Sequence, residues 1–346
     1  MKLTSDGPWS DTDAPHSDVV MTCRVRLARN IAGFPFVSRA SEAQCQEILS
    51  LSKQVVLHSS LSTDLVWVDL DQSSELERQM LVERHLISKN LAEHRAHRAA
   101  AILDHQRLSI MVNEEDHLRM QALAPGLQLD GIFKRINAVD DALERSLDYA
   151  YSSRWGYLTA CPTNVGTGIR FSVMMHLPAL KITSEIDRVR RAAKELNLAV
   201  RGYYGEGSES AGDFYQISNQ VTLGRTEEDL LSRFRDQIIP QIIEYEQQAR
   251  HMLCRTNAVL LDDRLHRALG ILRSARLIGA EESMKLLSRV RLGAYLDRLP
   301  NISPATVNRL FLQVQPAHLR AAIDESLAGE ALREARATLV RNALSP

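Results

Sequence analysis

The chain has 346 residues, 45% hydrophobic and 25% charged, with 42 Lys and Arg against 43 Asp and Glu. That length exceeds one ordinary core and fits about two domains, while a formal net charge of -1 leaves no global field to hold nucleic acid or an anionic membrane, so any basic site has to be local. The four cysteines, Cys23, Cys45, Cys161 and Cys254, lack the CxxC spacing of a zinc site or redox dithiol and fit free thiols in a reducing compartment. The N-terminus has no apolar signal-peptide core and no run approaches the roughly 18 apolar residues of a membrane span. A cytoplasmic protein is expected.

Residues 1–17 form a polar lead-in with Pro8 and Pro15. In 19–30, Val25 and Leu27 alternate with Arg24 and Arg26, the period of a half-buried strand. Two arginines on one strand face repel unless an anion lies between them. They are either a phosphate clamp or a solvated outer face. Residues 41–58 predict a helix capped by Ser41, and 65–70 predict a strand. Ser73 or Ser74 caps a helix through 80–86 that ends at His85, a position more often filled by a capping histidine than a ligand. Residues 100–103 and 108–112 predict a strand pair. The run Asn113-Glu114-Glu115-Asp116-His117-Leu118-Arg119 follows. In an extended chain Glu115, His117 and Arg119 share a face, which puts a carboxylate beside a guanidinium at a strand end. The alternative is a solvated acidic turn.

Residues 140–154 read as an amphipathic helix with Leu143, Leu147 and Tyr151 on one side. In 156–170 a short strand enters a loop rich in Gly, Thr and Pro, which can bring backbone N–H groups close to an anion. It is neither a GxxxxGK[ST] loop nor a GxGxxG fingerprint. Its Cys161 is either an inert buried thiol or a reactive thiolate. Residues 170–178 alternate again, with Phe171, Val173, Met175 and Leu177 on one face and Arg170, Ser172, Met174 and His176 on the other. A helix from 183 to 197 leads to a strand at 198–204 carrying Arg201. The Gly-rich acidic segment 205–212, which contains Glu206, is a candidate lid or a plain hairpin loop. Residues 214–223 return as the partner strand.

From 226 onward helical periodicity dominates, with candidate helices at 227–252, 262–275, 280–290, 303–314 and 328–343, broken at Gly279, Pro300, Pro304 and Pro316. The chain divides into a lead-in (1–17), a mixed region (18–225) and a helical region (226–346). Strands in hairpin pairs argue for an α+β fold, a largely antiparallel sheet flanked by helices, followed by an all-helical C-terminal domain.

Five arginines (Arg24, Arg26, Arg119, Arg170, Arg201) thus stand on strands or strand ends, with Glu115 and Glu206 beside them. Phosphoryl transfer is mostly positioning plus charge neutralisation, and a guanidinium cluster is one way to achieve it without a lysine loop. The runs 23–30, 113–119, 158–170, 201–206 and 216–219, in that order, resemble the guanidino (phosphagen) kinase family. They are most similar to its bacterial protein-arginine kinases, the McsB type. Little chain precedes the first motif, where phosphagen kinases carry a helical domain, and the lid reads Gly205-Glu206-Gly207-Ser208-Glu209.

The resemblance implies the phosphagen-kinase catalytic fold and transfer of the γ-phosphoryl group of ATP, with Mg2+, to arginine side chains of proteins. It implies ATP-phosphate contacts by Arg24, Arg26, Arg119, Arg170 and Arg201, and His85 near the adenine. Glu115 and Glu206 would hold the substrate guanidinium, and Cys161 would be the active-site cysteine. No metal-ligand motif is visible. A role in stress response and in marking proteins for degradation is implied, as are a homodimer, an activator protein and a protease or unfoldase partner. Other readings are a phosphagen kinase acting on free arginine or another small guanidino compound, and a catalytically inactive nucleotide-binding adaptor. One departure stands out. The family's Arg-Asp-x-x-Arg-Ala segment, linked there to phosphoarginine, is matched here only by Leu332-Arg333-Glu334-Ala335-Arg336-Ala337, which reads as a solvated helical face or, through Arg336, as part of an anion site, the first being expected.

Overall fold

The computed structural model describes residues 11–59, 61, 63–93, 96–103, 105–202 and 211–345. The strands are β1 (Val20–Arg29), β2 (Val66–Asp69), β3 (Ala99–Leu103), β4 (Leu108–Val112), β5 (Leu118–Pro125), β6 (Tyr151–Ser152), β7 (Gly156–Tyr157), β8 (Ile169–His176), β9 (Leu198–Arg201) and β10 (Phe214–Asn219). Among the described residues they form an eight-stranded sheet of order β2-β3-β4-β5-β1-β8-β10-β9 and a two-stranded ribbon of β6 and β7. Every pairing is antiparallel. The helices are α1 (Glu42–His58), α2 (Glu75–Glu83), α3 (Lys89–Ala92), α4 (Leu129–Glu144), α5 (Pro178–Ile182), α6 (Ile186–Glu195) and α7 (Glu227–Arg233), then, beyond a π turn (Phe234–Ile238), α8 (Ile239–Thr256), α9 (Ala258–Ser274), α10 (Ala280–Tyr295), α11 (Pro304–Gln313), α12 (Pro316–Ala322) and α13 (Gly329–Leu344).

The period-two pattern sends alternate residues to opposite faces of the sheet. On one face Cys23, Val25, Leu27, Met120, Ala122, Phe171, Val173, Met175, Tyr215 and Ile217 join a core with α1, α4, α6 and the start of the helical region (Leu231, Phe234, Ile242). Each such Val, Leu, Ile, Met or Phe side chain, fully buried, contributes roughly 1.5–3 kcal/mol. The opposite face has two separate covers. Toward β3, Ala100, Ile102 and Met111 pack under α2 and α3 through Leu81, Leu86 and Leu91. Toward β10, Met21, Leu123, Met174 and Phe214 pack under the helical region through Leu261, Leu265, Leu287 and Phe311. The strip of sheet between these covers carries the arginines.

Polar contacts fix the helical region to the sheet. Arg291, fully buried, donates from Nη1 to Asp18 O (2.9 Å), from Nη2 to Ser17 O (2.5 Å) and from Nε to Asn308 Oδ1 (2.8 Å), with His176 Nδ1 2.8 Å from Nη1. Glu246 accepts the N–H groups of Ala179 and Leu180 at the start of α5 (3.1 and 3.0 Å) and pairs with Arg250.

Several expectations change. The helix expected over 140–154 is α4, which starts at Leu129 and ends at Glu144. Its apolar face begins earlier, at Leu129, Ile132, Phe133 and Ile136, and Tyr151 belongs to the β6–β7 ribbon. That ribbon needs glycine at 156, where φ is +73° and a Cβ would stand 2.4 Å from Gly166 O. A strand not expected from the sequence follows the bend: Leu118–Pro125 form β5, an interior strand whose Leu118, Met120, Ala122 and Ala124 face the core. Pro316, expected as a break, instead opens α12, because the first helical position needs no N–H donor. Arg336 is not on a solvated face. It is buried and donates to Val314 O (2.7 Å) and Ile278 O (3.1 Å), bracing α13 against two loops; Arg333 and Glu334 stay exposed.

Arg291→Ala strands four polar partners at once. It is expected to cost about 3 kcal/mol or more, read as a lower urea midpoint. An unchanged midpoint would show that apolar packing alone joins the helical region to the sheet.

Candidate active site

The register of the sheet places all five arginines on one face. Arg26 stands opposite Arg170 across β1 and β8, and opposite Gln121 across β1 and β5. Arg24 stands opposite Ser172, and Arg119 opposite Ala28. Arg201 pairs in register with Gln216, which in turn faces Met174. Arg24 is steadied by Gln216 Oε1 (2.9 Å) and Ser172 Oγ (3.4 Å), and Arg170 by Asn219 O (3.2 Å). Arg26 differs from these. It is only 9% exposed, and its Nε and Nη2 are buried donors with no partner among the described residues.

The electrostatics follow from this crowding. Burial first, and then Arg119, Arg170 and Arg201, push the Arg24 guanidinium down to about 9. Burial and the same neighbours, with Arg24 added, hold Arg26 well below the usual arginine range. A polyanion lying on this face would reverse both effects and supply acceptors for Arg26.

Residues 113–117 are a bend, not extended chain, so Glu115, His117 and Arg119 do not share a face. The turn begins at Asn113, with φ +57°, and its amide donates to Cys45 O and His97 O. His117 is structural: Nδ1 accepts from Ile31 N–H (2.9 Å) and Nε2 donates to Pro35 O (2.9 Å). Burial pushes this imidazole down, in keeping with a neutral ring. Glu114, which no sequence pattern singles out, is buried. It accepts from Arg119 Nη1 (2.7 Å), Ser88 Oγ (2.6 Å) and Glu115 N–H (2.9 Å). Burial alone would raise it, but Arg119 and these hydrogen bonds outweigh burial and hold it at about 2. Burial likewise works against the charge of Arg119, and Glu114 outweighs it.

Asp116 is buried and accepts from Asn30 Nδ2 and Ala160 N–H, both at 2.7 Å; burial pushes its carboxyl up. It therefore ties the bend to the loop of Cys161. Glu115 and Cys161 are each next in sequence to a residue of that Asp116–Ala160 contact, and Glu115 is exposed at the tip of the bend. Cys161 is half-buried, with Sγ 3.0 Å from Thr163 Oγ1. Arg29 braces the same loop through Thr167 O (2.9 Å), the buried Asp140 and the ring of Tyr157, 3.6 Å from centroid to guanidinium carbon. A Cβ at Gly168 would meet Arg29 Nη1 at 2.6 Å.

His85 lies just beyond the C-terminal cap of α2, with φ +55°. With Thr22, Arg24, Leu123, Ser172, Met174 and Gln216 it lines a narrow cavity at one end of the arginine face. Burial, then Arg24 and Lys89, push its ring down to about 3, so it is neutral. A larger cleft, about 520 Å³, lies elsewhere, lined by Pro178, Lys181, Ile182, Asp213, Arg264, Lys285 and Arg289. The arginine face has the convergent charge and the partnerless donors, and we place the candidate site there. Glu206 lies outside the described residues.

Residues 47–249 match the family described as ATP:guanido phosphotransferase, C-terminal catalytic domain. The chain belongs to that family. Residues 258–346 match the C-terminal domain of protein-arginine kinase McsB. A protein-arginine kinase from Halothermothrix orenii is 41% identical over 339 residues, covering 97% of this chain and 96% of its own length. One from Brevibacillus brevis is 43% identical over 348 residues, covering 99% and 97%. Among solved structures, the duplicated taurocyamine kinase from Schistosoma mansoni with bound transition state analog components superposes with a TM-score of 0.63 at 27% identity, over 72% of this chain and 35% of that one. A lombricine kinase, at 23% identity and a TM-score of 0.60, shares the fold over 70% of this chain and 71% of its own. The antiparallel sheet with flanking helices is thus the phosphagen-kinase arrangement. β1, with Arg24 and Arg26, precedes the matched segment, yet it pairs with β5 and β8 at the centre of the same sheet.

The depressed Glu114 carboxyl sets a pH dependence. Its folded value, about 2, lies below its unfolded value, so its contribution is present above roughly pH 4.3 and is lost as pH falls toward 2. That contribution is at most about 3 kcal/mol. The difference in urea midpoint between the native chain and Glu114→Gln should be constant from neutral pH to about pH 5 and shrink below that. A difference independent of pH down to about 3 would mean that Glu114 is not held as an ion pair.

Proposed function

We infer that this chain is an ATP-dependent protein-arginine kinase, transferring the γ-phosphoryl group of Mg-ATP to the guanidinium of arginine side chains in proteins. The observation that carries the site assignment is Arg26: two buried donors without partners among the described residues, ringed by four further guanidinium groups on one sheet face. A triphosphate supplies the acceptors and the charge that this face calls for. Arg24, Arg26, Arg119, Arg170 and Arg201 would hold the phosphates. His85 would face the adenine from the cavity it shares with Arg24. Among the described residues no group of three or more His, Cys, Asp or Glu has the arrangement to hold a metal ion. Mg2+ belongs to the substrate in this reading, bound by phosphate oxygens and water, the hard ligands it prefers.

The acceptor sets the remaining demands. A guanidinium has a pKa above about 12 and delocalised lone pairs, so it is a poor nucleophile. The site must orient one terminal nitrogen in line with the γ-phosphorus and take its proton. We assign this to Glu115, with Glu206 as the second carboxylate and Cys161 beside them. Of the three consecutive carboxylates, Glu114 and Asp116 are buried in structural contacts, and Glu115 is the exposed one. It stands on a bend locked on both sides, next to the arginine that the bend itself orients. A carboxylate fixed in this way can both align the acceptor and serve as base.

Several wider properties are part of the same proposal and rest on the family resemblance. They are a role in stress response and in marking proteins for degradation, a homodimer, an activator protein, a protease or unfoldase partner and a cytoplasmic location. For the last, no helix among the described residues is long and apolar enough to cross a membrane.

Incubating the chain with Mg-ATP and either an unfolded arginine-rich protein or free arginine should give acid-labile N-phosphate on the protein. Label on free arginine alone would instead make it a small-substrate kinase. Glu115→Gln should retain ATP binding and lose on the order of 10²–10⁴-fold in phosphoryl transfer; full activity would remove Glu115 from the mechanism. Arg170→Ala should weaken nucleotide binding by roughly tenfold or more, the scale of a lost charge-assisted contact, and unchanged ATP affinity would make Arg170 an ordinary strand residue.

A further inference from the structure

We propose that the helical C-terminal domain is part of the nucleotide site: His318 of α12, acting through Glu83 and Arg84, is a positioning residue that holds His85 at the end of the arginine face. The proposal rests on the phosphoryl-transfer reading above and adds to it a residue from outside the catalytic sheet.

The contact is short and complete. α12 opens at Pro316, so the N–H groups of Ala317 and His318 belong to its first turn and need partners outside the helix. Both donate to the carboxylate of Glu83, the last residue of α2, at 2.8 and 3.0 Å. The His318 ring bridges Glu83 and the residue after it. Nδ1 lies 2.7 Å from Glu83 Oε2, and Nε2 receives Arg84 Nε at 2.9 Å. A guanidinium only donates and an ionised carboxylate only accepts, so the ring is the neutral Nδ1–H tautomer. Arg84 continues to Gln106 Oε1 at 2.8 Å. Glu83, Arg84, Gln106 and His318 are all buried.

The residue that follows is His85. Its φ of +55° is the left-handed position that closes α2, where His85 N–H donates to Val82 O at 2.8 Å and Leu86 N–H to Leu81 O at 2.9 Å. Two longer-range contacts hold this closing turn from outside. From the sheet, Gln121 Nε2 donates to His85 O at 2.6 Å and to Leu86 O at 3.0 Å. From the helical domain, His318 holds the two preceding residues. A small movement of α12 therefore reaches the cavity of His85, Arg24, Ser172 and Gln216, while Arg26, Glu114 and Glu115 stand on other elements. The effect should fall on nucleotide binding and spare the chemical step.

The test uses the full chain and three readouts: the Kd of a fluorescent methylanthraniloyl-ATP, KM and kcat for phosphorylation of an unfolded arginine-rich protein, and the thermal midpoint. His318→Ala should raise Kd and the KM for ATP about tenfold with kcat within about twofold. His318→Gln, which returns an acceptor to Arg84, should recover most of the loss. A lowered thermal midpoint with unchanged Kd and KM would overturn the proposal and leave His318 as a purely structural contact. Should His318→Ala not fold, Glu83→Gln, which keeps the volume and removes the charge, carries the same expectation for Kd. Nucleotide binding by the native chain with no change in either variant overturns this proposal alone. No binding by the native chain would overturn the kinase reading with it.

Discussion

Arg26 and Arg170 face each other across β1 and β8, where neighbouring Cβ atoms stand about 5 Å apart. Their guanidinium charges repel, and Arg24, Arg119 and Arg201 add to the same field. Much of the molecule can be understood as the containment of this repulsion. The sheet cannot relieve it by twisting the arginines away, because the other face of the same strands is committed to the core through Cys23, Val25, Leu27, Phe171 and Val173, and a one-residue slip would invert both faces together. Arg119 is neutralised from within, by Glu114. Arg24 and Arg170 are steadied by the neutral acceptors Gln216, Ser172 and Asn219 O, which orient a guanidinium without cancelling its charge. A polyanion would stabilise such a face, which is already organised, the condition under which electrostatic stabilisation requires little reorganisation.

The two covers of that face explain how the site is bounded. α2 and α3 close one side and the helical region closes the other, and each contributes an apolar patch of its own. They meet at Glu83 and His318. The joints that hold the helical region are buried and polar: Arg291 to Ser17, Asp18 and His176, Glu246 to the start of α5, and Glu83 to the start of α12. Buried polar contacts of this kind add less net stability than apolar packing would, yet they tolerate few alternative geometries, because each broken partner leaves an unsatisfied group. The helical region is thereby held in one orientation against the sheet.

Strand alternation makes the arginine face legible in the sequence. Arg24 with Arg26, and Arg170 with Ser172, follow the period of two, and the fold keeps each pair on one face. The bend at 113–117 is not legible in the same way. An extended run would align Glu115, His117 and Arg119, but the left-handed Asn113 turns the chain, commits His117 to backbone contacts with Ile31 and Pro35, and brings Glu114 to Arg119. Glu114 has no sequence signal because its partner is fixed by that turn and by Ser88, 26 residues earlier. Arg336 shows the same limit. Its segment departs from the family pattern, and its burial depends on the carbonyls of Val314 and Ile278 from two other loops.

The sequence by itself determined that Arg24 shares a strand face with Arg26 and Arg170 with Ser172, the antiparallel hairpin character of the sheet, the change to helices after 226, and the family, through short motifs whose order survives in the chain. These are local properties, set by side-chain period and by residue types whose chemistry is the same in any setting. Only the tertiary structure decided which carboxylate of Glu114, Glu115 and Asp116 is exposed, that Arg26 keeps two donors without partners among the described residues, and that α12, opening at a proline that reads as a break, reaches α2 two residues before His85. Each of those outcomes depends on contacts between segments far apart in the chain, for which a single sequence carries no period and no spacing rule.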